Sequence, residues 1–176
     1  RAHWDVSAAY LYGIRKKGLF GNKNLIFGVE YLDLIQRTFS DHRGTTASWF
    51  DEITIYKSNT YKGRRWSAHS GMDSDDFYFF LGYQGDNWTF IPAFNYERHG
   101  VVYHFPPEVK IELRMSVIYR NKDWLFDLYY ENEYFENIGF INSNDNVWLG
   151  DPIPGSIRRT KTLIFKIQKN LNFKIN

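Results

Sequence analysis

The sequence predicts an all-β protein, an antiparallel transmembrane β-barrel, on three observations. Apolar and polar residues alternate with period two, the mark of strands whose two faces differ. One such run, Val109 to Tyr119, has eleven residues, and a tilted strand needs about 9 to 11 to cross a membrane. Tyr and Trp gather at the ends of the runs, where a ring half in hydrocarbon and half in water is favoured.

The elements follow in chain order. Val6 to Ile14 and Leu25 to Ile35 form a predicted pair across Lys16-Lys17-Gly18 and Gly21-Asn22. A long connection over about 36–76 follows, with Ile53 to Tyr56 as a candidate short strand inside it. Phe77 to Tyr83 and Trp88 to Glu97 pair across Gln84-Gly85-Asp86-Asn87, a good hairpin turn. From Val109 the odd positions read Val, Ile, Leu, Met, Val, Tyr, and the even positions from Lys110 read Lys, Glu, Arg, Ser, Ile, Arg. Asn121-Lys122-Asp123 makes a polar turn. The pattern then resumes, with Trp124, Phe126, Leu128 and Tyr130 on one face and Asp127, Tyr129, Glu131 and Glu133 on the other. A second long connection spans about 136–159 and contains Asp151-Pro152-Ile153-Pro154-Gly155; the last run is Thr160 to Phe173. Seven strands result, or eight with Ile53 to Tyr56, and there is no sustained helical period and no fixed-length repeat.

Two readings of the alternation compete. In a soluble sandwich or lipocalin-like barrel the apolar face is core; in a membrane barrel it meets lipid and the charged face lines the interior. Soluble strands typically run roughly five or six residues, so run length and aromatic placement favour the membrane. Short turns on one side and long connections on the other also belong to membrane barrels.

Composition narrows the function. The chain has 176 residues, one domain's worth. Aromatic residues make up 19% of it, the signal that directs attention to the strand ends. Cys is absent, which excludes disulfides and thiolate metal sites. Lys+Arg is 22 against Asp+Glu at 20, too even for a polybasic nucleic-acid binder, so no nucleic-acid partner is expected. No apolar run approaches the roughly 18 to 20 residues of a membrane helix. No apolar core follows Arg1-Ala2-His3-Trp4 as in a signal peptide, so the chain is expected to begin inside a longer one.

Several segments resemble one family. Ser67-Ala68-His69-Ser70-Gly71-Met72-Asp73-Ser74-Asp75-Asp76-Phe77-Tyr78, then Leu81-Gly82-Tyr83, looks like a stretch of the capsule-assembly Wzi family in its Bacteroidetes form. Phe94-Asn95-Tyr96-Glu97-Arg98-His99-Gly100, Pro107-Glu108-Val109-Lys110-Ile111-Glu112 and Phe27-Gly28-Val29-Glu30-Tyr31 are similar to further parts of it. The resemblance implies a bacterial outer-membrane β-barrel that holds or organises capsular polysaccharide at the cell surface. Its partners would be capsular or exopolysaccharide and outer-membrane lipid, with no catalysis. Family barrels are larger and carry a helical portion near the periplasm, so the chain would be the C-terminal part of a larger barrel. Eight strands could also close alone. The ending Phe173-Lys174-Ile175-Asn176 lacks the final aromatic usual in outer-membrane proteins.

Four constellations could carry chemistry. Asp73-Ser74-Asp75-Asp76 offers hard oxygen ligands for Ca²⁺, but the EF-hand spacing is missing; the plainer reading is an acidic turn pairing with Arg64 and Arg65. Tyr96-Glu97-Arg98-His99 could make His99 a base oriented by Glu97. No Gly-x-Ser-x-Gly motif accompanies it, and ion pairs lining a lumen or its rim are the expected role. Trp49, Phe50, Tyr56, Tyr61, Trp66 and Trp148 fall in the two long connections beside Arg and Asp. They could stack on sugar rings or pack the connections over the barrel mouth, and the family resemblance tips the choice to saccharide. The candidate saccharide-binding set is Trp49, Tyr61, Arg64, Arg65, Trp66, Asp73, Asp75, Asp76 and Trp148. The candidate lumen-lining set is Lys110, Glu112, Arg114, Asp127, Glu131 and Glu133, of both signs and able to neutralise one another. No catalytic residue, metal or cofactor is expected. The rival functions are a small outer-membrane lipid-modifying enzyme, a porin-like channel and a soluble lipocalin-like ligand-binding barrel.

Overall fold

The computed structural model describes residues 9–35, 60–61, 64–65, 74–101, 106–140 and 155–170. Seven long strands form one antiparallel sheet: β1 (Tyr10–Leu19), β2 (Asn22–Asp33), β5 (Ser74–Gln84), β6 (Trp88–His99), β7 (Glu108–Asn121), β8 (Trp124–Glu136) and β9 (Ile157–Lys169). Two short strands, β3 (Thr60–Tyr61) and β4 (Arg64–Arg65), form a separate ladder. The sheet order β1-β2-β5-β6-β7-β8-β9 is a meander, each strand pairing with the long strand before it. Among the described residues the sheet is not closed, since β1 and β9 each have one neighbour. The expected all-β antiparallel class and the seven long runs are therefore present, and Ile53 to Tyr56 lies outside the described residues. Among the described residues no helix is long and apolar enough to cross a membrane, which leaves strands untouched as a means of crossing.

Boundaries shift from the period-two runs: β1 spans Tyr10–Leu19 where Val6 to Ile14 was expected, β2 ends at Asp33 instead of Ile35, and β9 ends at Lys169 instead of Phe173. β5 starts at Ser74 instead of Phe77, and β9 at Ile157 instead of Thr160. The two long connections are thus 34–73 and 137–156. β1 continues through Lys16 and Lys17, which pair with Phe27 and Ile26, and the turn is Phe20-Gly21. Both turn residues have positive φ, 51° and 78°, the twist that suits a two-residue hairpin. Gly18, at φ 82°, takes up a register shift just before it, as in a bulge. The turns between β1 and β2, β5 and β6, and β7 and β8 all lie at one end of the sheet. At the other end β2, β6 and β8 finish and β5, β7 and β9 begin.

Register decides the faces. Residues paired across antiparallel strands point the same way, so Glu30, Tyr78, Asn95, Glu112 and Glu133 make one cross-strand row. Val29, Phe79, Phe94 and Leu113 make the adjacent row on the other face. Between its aromatic borders, the apolar face carries no charged side chain on β2 or β5–β8, while edge strands β1 and β9 place Lys16 and Lys161 there. One border joins Trp88 and Tyr119, with ring centroids 4.4 Å apart, and Phe126 and Trp124 beyond them. Lys169 Nζ sits 5.0 Å above the Trp124 ring. At the opposite border Tyr134 carries the Arg159 guanidinium at 5.4 Å.

Burial is inverted relative to a soluble sheet. On the charged face Glu97 and Glu112 are each 2% exposed, whereas on the apolar face Leu113 is 52% and Trp88 53% exposed. Among the described residues Leu34 is the only buried apolar side chain. Seven strands at the usual spacing make this face about 29 Å wide.

Two glycines allow close approach on the charged face. A Cβ on Gly28 would lie 2.2 Å from the Phe80 ring, and one on Gly82 would lie 2.6 Å from the Phe90 carbonyl oxygen. A ring can swing aside, but a ladder carbonyl cannot move without opening the β5–β6 pairing. Gly82→Ala is therefore expected to cost about 3 kcal/mol and Gly28→Ala about 1 kcal/mol, the two ends of the overpacking range. Equilibrium unfolding of both variants checks this; equal losses would remove the distinction between ring and backbone.

Candidate functional site

The charged face is the site that the strands build together. Its centre is Lys110 on β7, whose Nζ lies 2.8 Å from Glu112 Oε1, 3.7 Å from Glu133 Oε2 and 4.0 Å from Glu97 Oε2. Arg114 donates to Glu112 Oε2 at 2.5 Å and to Glu131 Oε2 at 3.0 Å. Tyr129 donates its hydroxyl proton to Glu131 at 2.5 Å, and Asn95 Nδ2 donates to Glu112 Oε2 at 3.2 Å. Arg158 on β9 closes the set on Glu133 at 3.1 Å. Four strands are thus joined by ion pairs. Period two makes this possible, because i and i+2 on β7 face i and i−2 on β8. Paired charges of both signs leave little net field on this face.

Beside this network lies a groove of about 480 Å³, lined by Leu11, Arg15, Glu30, Leu32, Asp76, Tyr78 and Arg114. Arg15 and Glu30 form a cross-strand pair, with NH2 to Oε1 at 2.8 Å. The volume is within the range of small-ligand clefts.

The long-connection end forms a polar rim. Arg98 grips Asp75 through two hydrogen bonds, Nε to Oδ1 being 2.8 Å. His99 Nε2 lies 2.8 Å from Glu97 Oε1, and its Nδ1 lies 3.3 Å from Glu108 Oε2. Glu108 also accepts from the Gly139 N–H at 2.6 Å. Both ring nitrogens are occupied by carboxylates, so the expected ion-pairing role of Glu97 fits the geometry better than a base awaiting a substrate. Asn137, at φ 55°, donates through Nδ2 to the Pro106 carbonyl at 2.6 Å and fastens the end of β8 to the start of β7. Among the described residues no group of three His, Asp or Glu side chains is placed to hold a metal ion.

The sequence-derived sites separate into four groups. Lys110, Glu112, Arg114, Asp127, Glu131 and Glu133 do share one face, and Asp127 pairs with Lys166 at 3.6 Å. Trp49, Trp66, Asp73 and Trp148 lie outside the described residues. Tyr61, Arg64 and Arg65 lie in the β3–β4 ladder, where Tyr61 is opposite Arg64 and Thr60 opposite Arg65. Asp75 and Asp76 are not in a loop as expected. They are neighbours on β5 and so point to opposite faces, Asp75 toward Arg98 and Asp76 to the charged face opposite Glu97. The acidic run is therefore not one ligand set, and Asp75 pairs with Arg98; the expected pairing with Arg64 and Arg65 rests on side chains outside the described ones. Asn137 was missed because its role rests on the positive-φ turn after β8, and Arg15, Glu30 and Tyr78 because their roles depend on register across strands. A slip of one residue would send each to the other face.

No protein-family model matches the chain, no curated protein matches it, and no solved structure matches it at a significant level.

Proposed function

We propose that this chain is part of the wall of a bacterial outer-membrane β-barrel that binds or organises surface polysaccharide without catalysis of its own. The membrane half of the reading is carried by one observation: the charged face is buried and the apolar face exposed. In water a bare apolar face of this extent would be an aggregation site, since monomeric proteins rarely show contiguous patches beyond a few hundred Å². A soluble sandwich would cover it with a second layer, and among the described residues none packs there. In lipid the same face is the favourable one, bordered by aromatic rings as barrel exteriors are. The strands, 10 to 14 residues long, suit that span. Long connections at one end and tight turns at the other fit a barrel with surface loops.

The polysaccharide half rests on the resemblance to the capsule-assembly Wzi family, carried by segments that include parts of β2, β5, β6 and β7. It is also supported by the Trp and Arg residues in the long connections. The full polypeptide is expected to fold in detergent micelles, giving a gel band that shifts on boiling, and in that state to retain capsular polysaccharide. Arg65→Ala is expected to weaken retention several-fold without changing the band shift. Folding in plain buffer would sink the membrane half, and a folded barrel that retains no polysaccharide would sink the other.

A further inference from the structure

We infer that the gap between β9 and β1 is filled by an odd number of further antiparallel strands, supplied by the polypeptide that flanks residues 10–169 and not by a second copy of the chain. The inference rests on the membrane-barrel reading; the rest follows from strand direction. β1 starts opposite Asp33 and ends opposite Asn22, so it runs from the long-connection end to the tight-turn end. β9 starts opposite Glu136 and ends opposite Trp124, so it runs the same way. Joined directly, β1 and β9 would lie parallel, whereas every pairing in the sheet is antiparallel. Bacterial single-chain barrels have even numbers of antiparallel strands.

The edges cannot be left bare in hydrocarbon, because unpaired N–H and C=O groups find no partner there. Their side chains are also open: Tyr12 and Ile14 on β1, and Leu163, Phe165 and Ile167 on β9, are all exposed.

A second copy does not solve the problem. Inserted the same way up, its β1 and β9 run in the same direction as these two, so every seam between copies is again parallel. The internal connections do not solve it either. Segments 34–73, 100–107 and 137–156 each leave and return at the same end of the sheet, so any spans they lent would come in pairs. Only chain before β1 or after β9 can add an odd number.

The parity has a direct readout. Seven strands alone put the two ends of the wall on opposite sides of the membrane; an odd addition puts both on the same side. Different epitope tags at the two ends of the full polypeptide, reconstituted in one orientation in liposomes, are probed with protease added outside and then inside. Both tags are expected to be cleaved from the same side. Cleavage from opposite sides would overturn the inference and leave a parallel seam or a shared barrel. If urea washing strips the polypeptide from the liposomes, the membrane reading itself fails, and that result is distinct from either tag pattern.

Discussion

Leu81→Arg is expected to cost about 2 to 4 kcal/mol, the cost of an arginine near the midplane of a barrel's lipid face. Leu81 sits on β5 opposite Phe27, in a row that continues through Pro92, Met115, Tyr130 and Leu163. Its side chain is 44% exposed, and that makes the substitution diagnostic. On a water-facing surface, a change at a half-open position usually moves stability by less than about 0.5 kcal/mol. Thr160→Arg serves as the control, because Thr160 is exposed on the charged face opposite Glu133. The measurement is urea unfolding of the protein in lipid bilayers. A large loss for L81R beside a negligible one for T160R identifies the apolar face as the lipid face. Equal, small losses would return that face to water.

The second large effect concerns the buried charges. Lys110→Met removes the cation shared by Glu112, Glu133 and Glu97, and the Glu97 and Glu112 side chains are only 3% exposed. A carboxylate left buried without its partner costs about 3 to 5 kcal/mol. A loss near the low end is expected, because Arg114 still reaches Glu112. Adding Glu112→Gln to Lys110→Met is expected to return about 1 kcal/mol by removing one of the three carboxylates that shared the lost cation, a coupling of ordinary size for residues in contact. Lys166→Met is the comparison. Its pair with Asp127 is 65% exposed on the lysine side, and exposed pairs contribute about 1 kcal/mol at most. If K110M lost no more than K166M, the charged face would not work as a connected network.

Much of the sheet was legible because period-two alternation reports strand and face together. Lys110, Glu112 and Arg114 could be assigned to one side from β7 alone, and Glu131 and Glu133 followed across a short turn. The failures have physical causes. Ser74, Asp75 and Asp76 read as a loop because Asp is a poor strand former. The Asp75–Arg98 ion pair and the backbone ladder with β6 override that preference. The turn at Phe20-Gly21 was displaced because Lys16 and Lys17 look like turn residues, yet both stay in the ladder. The groove residues Arg15, Glu30, Tyr78 and Arg114 come from four strands. No local pattern joins them; that needs four registers at once, from β1–β2 through β6–β7.

The meander also bears on how the sheet assembles. Three hairpins, β1–β2, β5–β6 and β7–β8, are each closed by a tight turn and can form locally in about 1 to 10 μs. Docking them means closing segments of unequal length, and each doubling of a flexible loop adds only about 0.6 kcal/mol of closure entropy. Segment 100–107 is the shortest and 34–73 the longest. The β5–β8 unit therefore forms most readily, β9 adds to it next, and the β1–β2 hairpin arrives last. The edge strand β1 is thus among the last to find its place.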